Sequence, residues 1–225
     1  MRLVCITGID GTGKTTLARG VTRALRGESD GAAYIYGRTY PVLSRALMAL
    51  GRMTLLRRHD QWQDYTSYTA SKKGTMNNRL LAAVYTAAIL ADYYPQIWLK
   101  LLPHLLADRT VVCDRYIYDT VISDLAVHLN YLEERADRTI DRCMRLLPRP
   151  TLTVLLDVEP EVAFARKDDV PDVEYLRERR WWYRRLTERR EVVVIDAERP
   201  SEEVQARVLD AVWQRVRGQT GAVRP

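Results

Sequence analysis

The octet Gly8-Ile9-Asp10-Gly11-Thr12-Gly13-Lys14-Thr15 constrains this chain more than any other feature, because of where it stands. An apolar run over residues 2–7 leads straight into it, and an amphipathic pattern over 16–26 (Leu17, Val21, Ala24, Leu25) follows. Strand, glycine turn and helix in that order make a phosphate cradle. The glycines let a wide turn point its N–H groups inward, and the following helix adds its positive end. Lys14 is then placed to reach the β- and γ-phosphates of a nucleoside triphosphate, and Thr15 to offer its hydroxyl to magnesium. Gly8, Gly11, Thr12, Gly13, Lys14, Thr15 and Thr16 are therefore the candidate ATP-binding residues. The octet specifies triphosphate binding but leaves the recipient of the phosphate open.

Four further short strand patterns follow, at 32–36, at 110–113 closing on Asp114, at 152–157 and at 192–196. They are mostly apolar on both faces, as strands covered by helices from two sides are. Helical patterns at 76–107, 120–146, 160–167, 173–189 and 202–216 separate most of them. That alternation predicts a mostly parallel sheet in a three-layer α/β sandwich, a P-loop NTPase fold, as one domain over 1–225. A crossover needs about a dozen residues, and the second and third strands lie much further apart than that. The stretch 37–109 is accordingly expected to hold an acceptor-site elaboration. It reads as one helix over 42–58 and a long one over 77–107, interrupted or bent near Pro95 and Pro103.

Ligands of open parallel sheets sit beyond the carboxyl ends of the strands. Asp10 and Asp114 share that edge if the first and third strands are neighbours. Asp10 would then face an acceptor hydroxyl or a hydrated metal; the alternative is capping of its own turn. Asp114 is a candidate for orienting magnesium through water. Arg115, a rigid donor fork, suits clamping the acceptor phosphate or the transferring one, with a structural salt bridge as the alternative. Arg166 and Lys167 end the helix after the fourth strand. A lid over 166–172 that closes on ATP would bring one of them to the developing phosphoryl charge. The simpler use of the same pair is with the negative end of that helix.

The net charge of +6, from 35 basic and 29 acidic residues, admits a nucleic-acid surface or a phosphorylated small substrate. The arginines of 177–190 alternate with Glu174, Glu178, Glu188 and Glu191, the pattern of a solvated helix face, which favours the small substrate. Cys5, Cys113 and Cys143 lack metal-ligand spacing and read as core residues in a reducing compartment. No signal-peptide pattern precedes the glycine motif and no apolar run reaches the length of a membrane span. A cytoplasmic location without a membrane partner is expected. His59, His104 and His128 are dispersed, so no His–Cys–acid set supports covalent catalysis.

The segments GIDGTGKTT, CDRY and LLDVEPEVAFARK, in that order, resemble thymidylate kinase and its relatives among the P-loop nucleoside and nucleotide kinases. The resemblance implies a five-stranded sheet ordered 2-3-1-4-5, use of ATP and magnesium, and a nucleoside monophosphate such as dTMP as acceptor. It also implies a homodimer through helices beside the acceptor site. By the same resemblance Lys14 and Thr15 serve phosphate and magnesium, Asp10 lies near the acceptor sugar, Arg115 near the acceptor phosphate, and Arg166 begins a basic lid.

The acceptor motifs depart from the family pattern. Where relatives carry Arg-Glu-Pro-Gly after the second strand, this chain has Gly37-Arg38-Thr39-Tyr40-Pro41. Where they carry Asp-Arg in the middle helix, it has Asp92-Tyr93, and where two serines follow Asp-Arg-Tyr it has Asp119-Thr120. Arg38, Tyr93 and Asp119 thus join Asp10 and Arg115 as substrate-binding candidates, Tyr93 as a base contact. Tyr36, Tyr40, Tyr65, Tyr68 and Tyr85 are further aromatic candidates. The alternative acceptors are a nucleoside, a nucleotide analogue or another phosphorylated metabolite. The alternative classes are a P-loop nucleotide switch and a nucleic-acid-directed ATPase. No Asn/Thr-Lys-x-Asp segment, the mark of guanine-specific switches, follows the later strands.

Overall fold

The computed structural model describes residues 2–28, 31–45, 79–167 and 169–220. Five parallel strands form one sheet in the order β2-β3-β1-β4-β5. They are β1 Arg2–Thr7, β2 Ala32–Tyr36, β3 Thr110–Asp114, β4 Leu152–Asp157 and β5 Val193–Asp196. The order and the three-layer sandwich agree with expectation. β1 is central, with Cys5 opposite Cys113 and Ile6 opposite Asp114 on one side, and Ile6 opposite Val154 on the other. The three inner strands are buried almost throughout, whereas β5 at the edge keeps exposed positions. Burial on both faces explains why the inner strands read as continuous apolar runs.

The longer α-helices among the described residues are α1 Lys14–Glu28, α2 Arg79–Leu106, α3 Glu133–Met144, α4 Pro160–Ala165, α5 Val173–Arg189 and α6 Ser201–Thr220. α1 and α6 pack on each other and cover β2 to β5 between them. α5 buries Leu176, Arg179, Trp182, Tyr183 and Leu186, a stripe at three- and four-residue spacing, and packs on β4 and α4.

Two helices differ from the sequence reading. Of the interruption or bend foreseen near Pro95 and Pro103, the interruption does not occur, since α2 is continuous through both. An internal proline costs about 3 kcal/mol. The buried stripe Tyr85, Ile89, Tyr93, Ile97 and Leu101 offsets this, at about 1.5–3 kcal/mol for each large apolar side chain. The single helix foreseen over 120–146 is instead a π-helix, Thr120–Ala126, followed by a turn and α3. Asn130 stands in that turn at φ 48, a backbone state that asparagine tolerates better than most residues. Of the helix foreseen over 42–58, Val42 forms a bend and residues 43–45 are helical, while 46–58 lie outside the described residues, as do Tyr65 and Tyr68. All three cysteines are free and buried. Among the described residues no helix is long and apolar enough to cross a membrane.

Candidate active site

Because β1 is central, the loop leaving Thr7 emerges between the ends of β3 and β4. Gly8, Gly11 and Gly13 take φ values of 143, 87 and 79. A Cβ on Gly11 would collide with the Ala163 carbonyl of α4, so glycine is required there for both conformation and space. Thr12 closes the loop by donating to the Ile9 carbonyl at 3.0 Å. Lys14 is buried and folded back on its own loop. Its Nζ donates to the Ile9 carbonyl and, at 3.2 Å, to Thr12 Oγ1. Burial, and next the positive Arg115, bring the Lys14 pKa down from the ordinary 10.5 to about 7. Asp10, Gly11, Gly13, Lys14, Thr15 and Thr16 line a cavity of about 400 Å³ together with Arg115, Arg166 and Lys167.

Asp10 does not cap its own turn. Its carboxylate pairs with Arg115 Nη2, and Lys167 Nζ lies 3.7 Å away. Burial works against ionisation of Asp10, but Arg115, Lys14 and Lys167 hold its carboxyl well below the usual carboxylate range. Arg115 has φ 69, a conformation that costs a non-glycine residue about 1–2 kcal/mol. Its Nη1 lies 3.3 Å from Asp119 Oδ1. Burial disfavours the Arg115 charge, yet Asp119 and Asp10 raise its pKa well above the ordinary arginine value. The substrate contact expected of Asp119 is corrected here, because this residue is fully buried and lines neither cavity of the site. Its carboxylate accepts from Thr7 Oγ1 at 2.9 Å, Tyr116 N at 3.0 Å and the Tyr183 hydroxyl at 2.8 Å, besides Arg115.

Thr15 Oγ1 donates to Asp114 Oδ2 at 2.6 Å, and the Tyr34 hydroxyl donates to the same oxygen at 3.1 Å. The other oxygen, Asp114 Oδ1, is buried without a hydrogen-bond partner among the described residues. A hydroxyl beside an orphaned carboxylate oxygen fits hydrated magnesium, which keeps several waters and takes only one or two protein oxygens. Among the described residues no group of three or more His, Cys, Asp or Glu could hold a metal, and this mode of binding does not require one.

Arg166 ends α4 and donates to the Ala197 carbonyl, beyond β5, at 2.9 Å. Lys167 also reaches Asp169 at 3.1 Å, and Asp168 of the proposed lid lies outside the described residues. A second cavity, of about 420 Å³, is lined by Tyr36, Arg38, Tyr40, Tyr85, Ile89 and Asp124 among others. Arg38 Nη2 pairs with Asp124 Oδ1 at 2.7 Å. The base contact expected of Tyr93 is also corrected. Tyr93 shares the buried stripe of α2, stands edge-on to Tyr94 with centroids 6.2 Å apart, and lines neither cavity. The same helix presents Tyr85, Ile89 and Asp92 to the cavity instead.

Several residues at the site escaped the sequence reading. Along α2, Asp92, Gln96 and Lys100 hold the backbone of 36–44. Asp92 accepts from the amides of Val42, Leu43 and Ser44 at 3.0, 2.9 and 2.9 Å. Gln96 exchanges two 2.9 Å bonds with the Tyr40 backbone, and Lys100 Nζ donates to the Tyr36 and Arg38 carbonyls at 2.8 and 2.9 Å. Polar residues at four-residue spacing in an otherwise apolar helix were the available signal. The arginine run of α5 is also less solvated than its alternation suggested. Arg179 is buried over the Tyr175 ring, and Arg180 and Arg184 grip Asp157 at 2.8 and 2.6 Å. Tyr183, the last of three consecutive aromatics, Trp181-Trp182-Tyr183, carried no signal that separated it from core packing.

A family model described as thymidylate kinase matches residues 63–208. A protein of Archaeoglobus fulgidus named probable thymidylate kinase is 27% identical over 216 residues, covering 93% of this chain and 94% of the relative. A protein of the same name from Pyrobaculum calidifontis is 28% identical over 220 residues, 94% of this chain and 95% of the relative. The thymidylate kinase of Bacillus cytotoxicus is 30% identical over 159 residues, 63% of this chain and 71% of the relative.

Proposed function

The chain belongs to the thymidylate kinase family of ATP-dependent nucleotide kinases, and we propose that it phosphorylates a nucleoside monophosphate, dTMP before others, to the diphosphate. The observation that carries this reading is Arg115, which lines the same cavity as Lys14 while paired with Asp10. A guanidinium fork there suits an acceptor that already bears a phosphate. Lys14 binds the phosphates of ATP, and Arg115 orients the acceptor phosphate so that its oxygen attacks the γ-phosphorus in line. The bond to the bridging oxygen breaks, and ADP leaves. Asp10, held ionised, accepts from the acceptor sugar. Thr15 would hold magnesium directly and Asp114 through water, and the metal would neutralise charge on the β- and γ-phosphates. Arg166 and Lys167 belong to a lid over 166–172 of a single kinase domain, and the cavity beside Tyr36, Tyr40 and Tyr85 takes the base.

A coupled ADP-release assay with the common nucleoside monophosphates and free thymidine tests this reading. dTMP is expected to exceed thymidine in kcat/KM by at least about a hundredfold, since a site built to bind a charged group rejects an acceptor that lacks it. Arg115→Ala should collapse that preference, and Arg166→Ala should lower turnover more than ATP affinity. Preferential turnover of thymidine would overturn the phosphate clamp.

A further inference from the structure

Arg115 has to aim a long, flexible side chain from a strained backbone, so something must fix it. Asp10 cannot do this alone, because it borders the cavity and is itself given to the acceptor in the reading above. Asp119, behind the fork, is fully buried and accepts four donors, two on each oxygen, which fills a carboxylate's capacity. One of the four is the hydroxyl of Tyr183, itself buried and 3.5 Å from Ser123 Oγ. Tyr183 is carried by α5, the helix that begins where the 166–172 segment ends. Arg180 and Arg184 lock that helix to Asp157 at the end of β4.

We propose that Asp119 and Tyr183 are positioning residues for Arg115, and that the Tyr183 hydroxyl couples the helix leaving the lid to the reaction centre. The kinetic part of this inference rests on the kinase reading. Without Tyr183's hydroxyl, Asp119 Oδ1 loses a donor in a dry site, and the fork it holds loosens. ADP binding under the lid should therefore order Arg115 through α5, before any acceptor arrives.

Tyr183→Phe tests this with two readouts. In the first, hydrogen exchange of peptides covering 115–123 is followed with and without magnesium–ADP and no acceptor. Exchange in the unmodified protein should slow severalfold on ADP binding, and the variant should lose that slowing while its ADP affinity stays within about threefold. In the second, kcat with the best acceptor should fall about tenfold, while the KM for ATP stays within about threefold and the thermal midpoint is kept. Asp119→Asn should act in the same direction and more strongly; should it fail to fold, Tyr183→Phe decides. Unchanged kcat, unchanged ADP protection in the variant, or no protection in the unmodified protein overturns the coupling. If no nucleoside monophosphate is turned over, the kinase reading fails while the exchange experiment still decides the coupling.

Discussion

Lys14 is a buried amine whose charge depends on what it meets. With its pKa lowered to about 7, it is mostly neutral at pH 8, and a bound triphosphate favours its ammonium form. ATP binding at pH 8 should therefore take up close to one proton. Affinity should fall as pH rises above 7, by up to about tenfold per unit. Titration calorimetry at pH 8 in two buffers of different ionisation enthalpy measures the uptake, and Lys14→Met should abolish it. Equal heats in both buffers for the unmodified protein would contradict the assignment. At this scale the cradle was legible because backbone geometry dictates its residue types: Gly11 has no substitute where a Cβ meets Ala163. Tyr93 and Asp119 were misread because sequence gives a position along an element but not its depth. On α2 the consecutive residues Asp92 and Tyr93 stand at the cavity wall and in the core.

Among the elements, α2 does more than pack. Its Asp92, Gln96 and Lys100 fix the segment that carries Tyr36, Arg38 and Tyr40 into the second cavity. The double variant Gln96→Ala, Lys100→Met should raise the acceptor KM by about fivefold or more, which corresponds to about 1 kcal/mol of lost positioning in all. The KM for ATP should stay put, because neither residue touches the cradle cavity. Steady-state kinetics with each substrate varied in turn distinguishes the two, and an equal rise in both constants would refute a local role. The strands were legible as apolar runs, and α5 as a helical pattern over 173–189. The π-helix was not, because 120–146 keeps a helical apolar pattern while the backbone changes its hydrogen-bond spacing at Thr120. Nor did two prolines reveal that tertiary burial would carry α2 through them.

For the whole molecule, α2 leaves Leu80, Val84, Leu99, Leu102, Leu105 and Leu106 exposed along its length. A row of this kind suits the homodimer that the family resemblance implies. Sedimentation equilibrium at micromolar concentration should give about twice the chain mass, and a particle of only 26.0 kDa would reject a stable dimer. The sheet order brings the ends of β1 and β3 together, and with them Lys14, Asp10 and Arg115. The most direct test of what that convergence does is phosphorus NMR of the protein with ATP, magnesium and dTMP. The paired α- and β-phosphate signals of dTDP should grow in step with those of ADP, and removal of magnesium with EDTA should stop both. Inorganic phosphate appearing with ADP while dTMP stays unchanged would contradict phosphoryl transfer to the nucleotide.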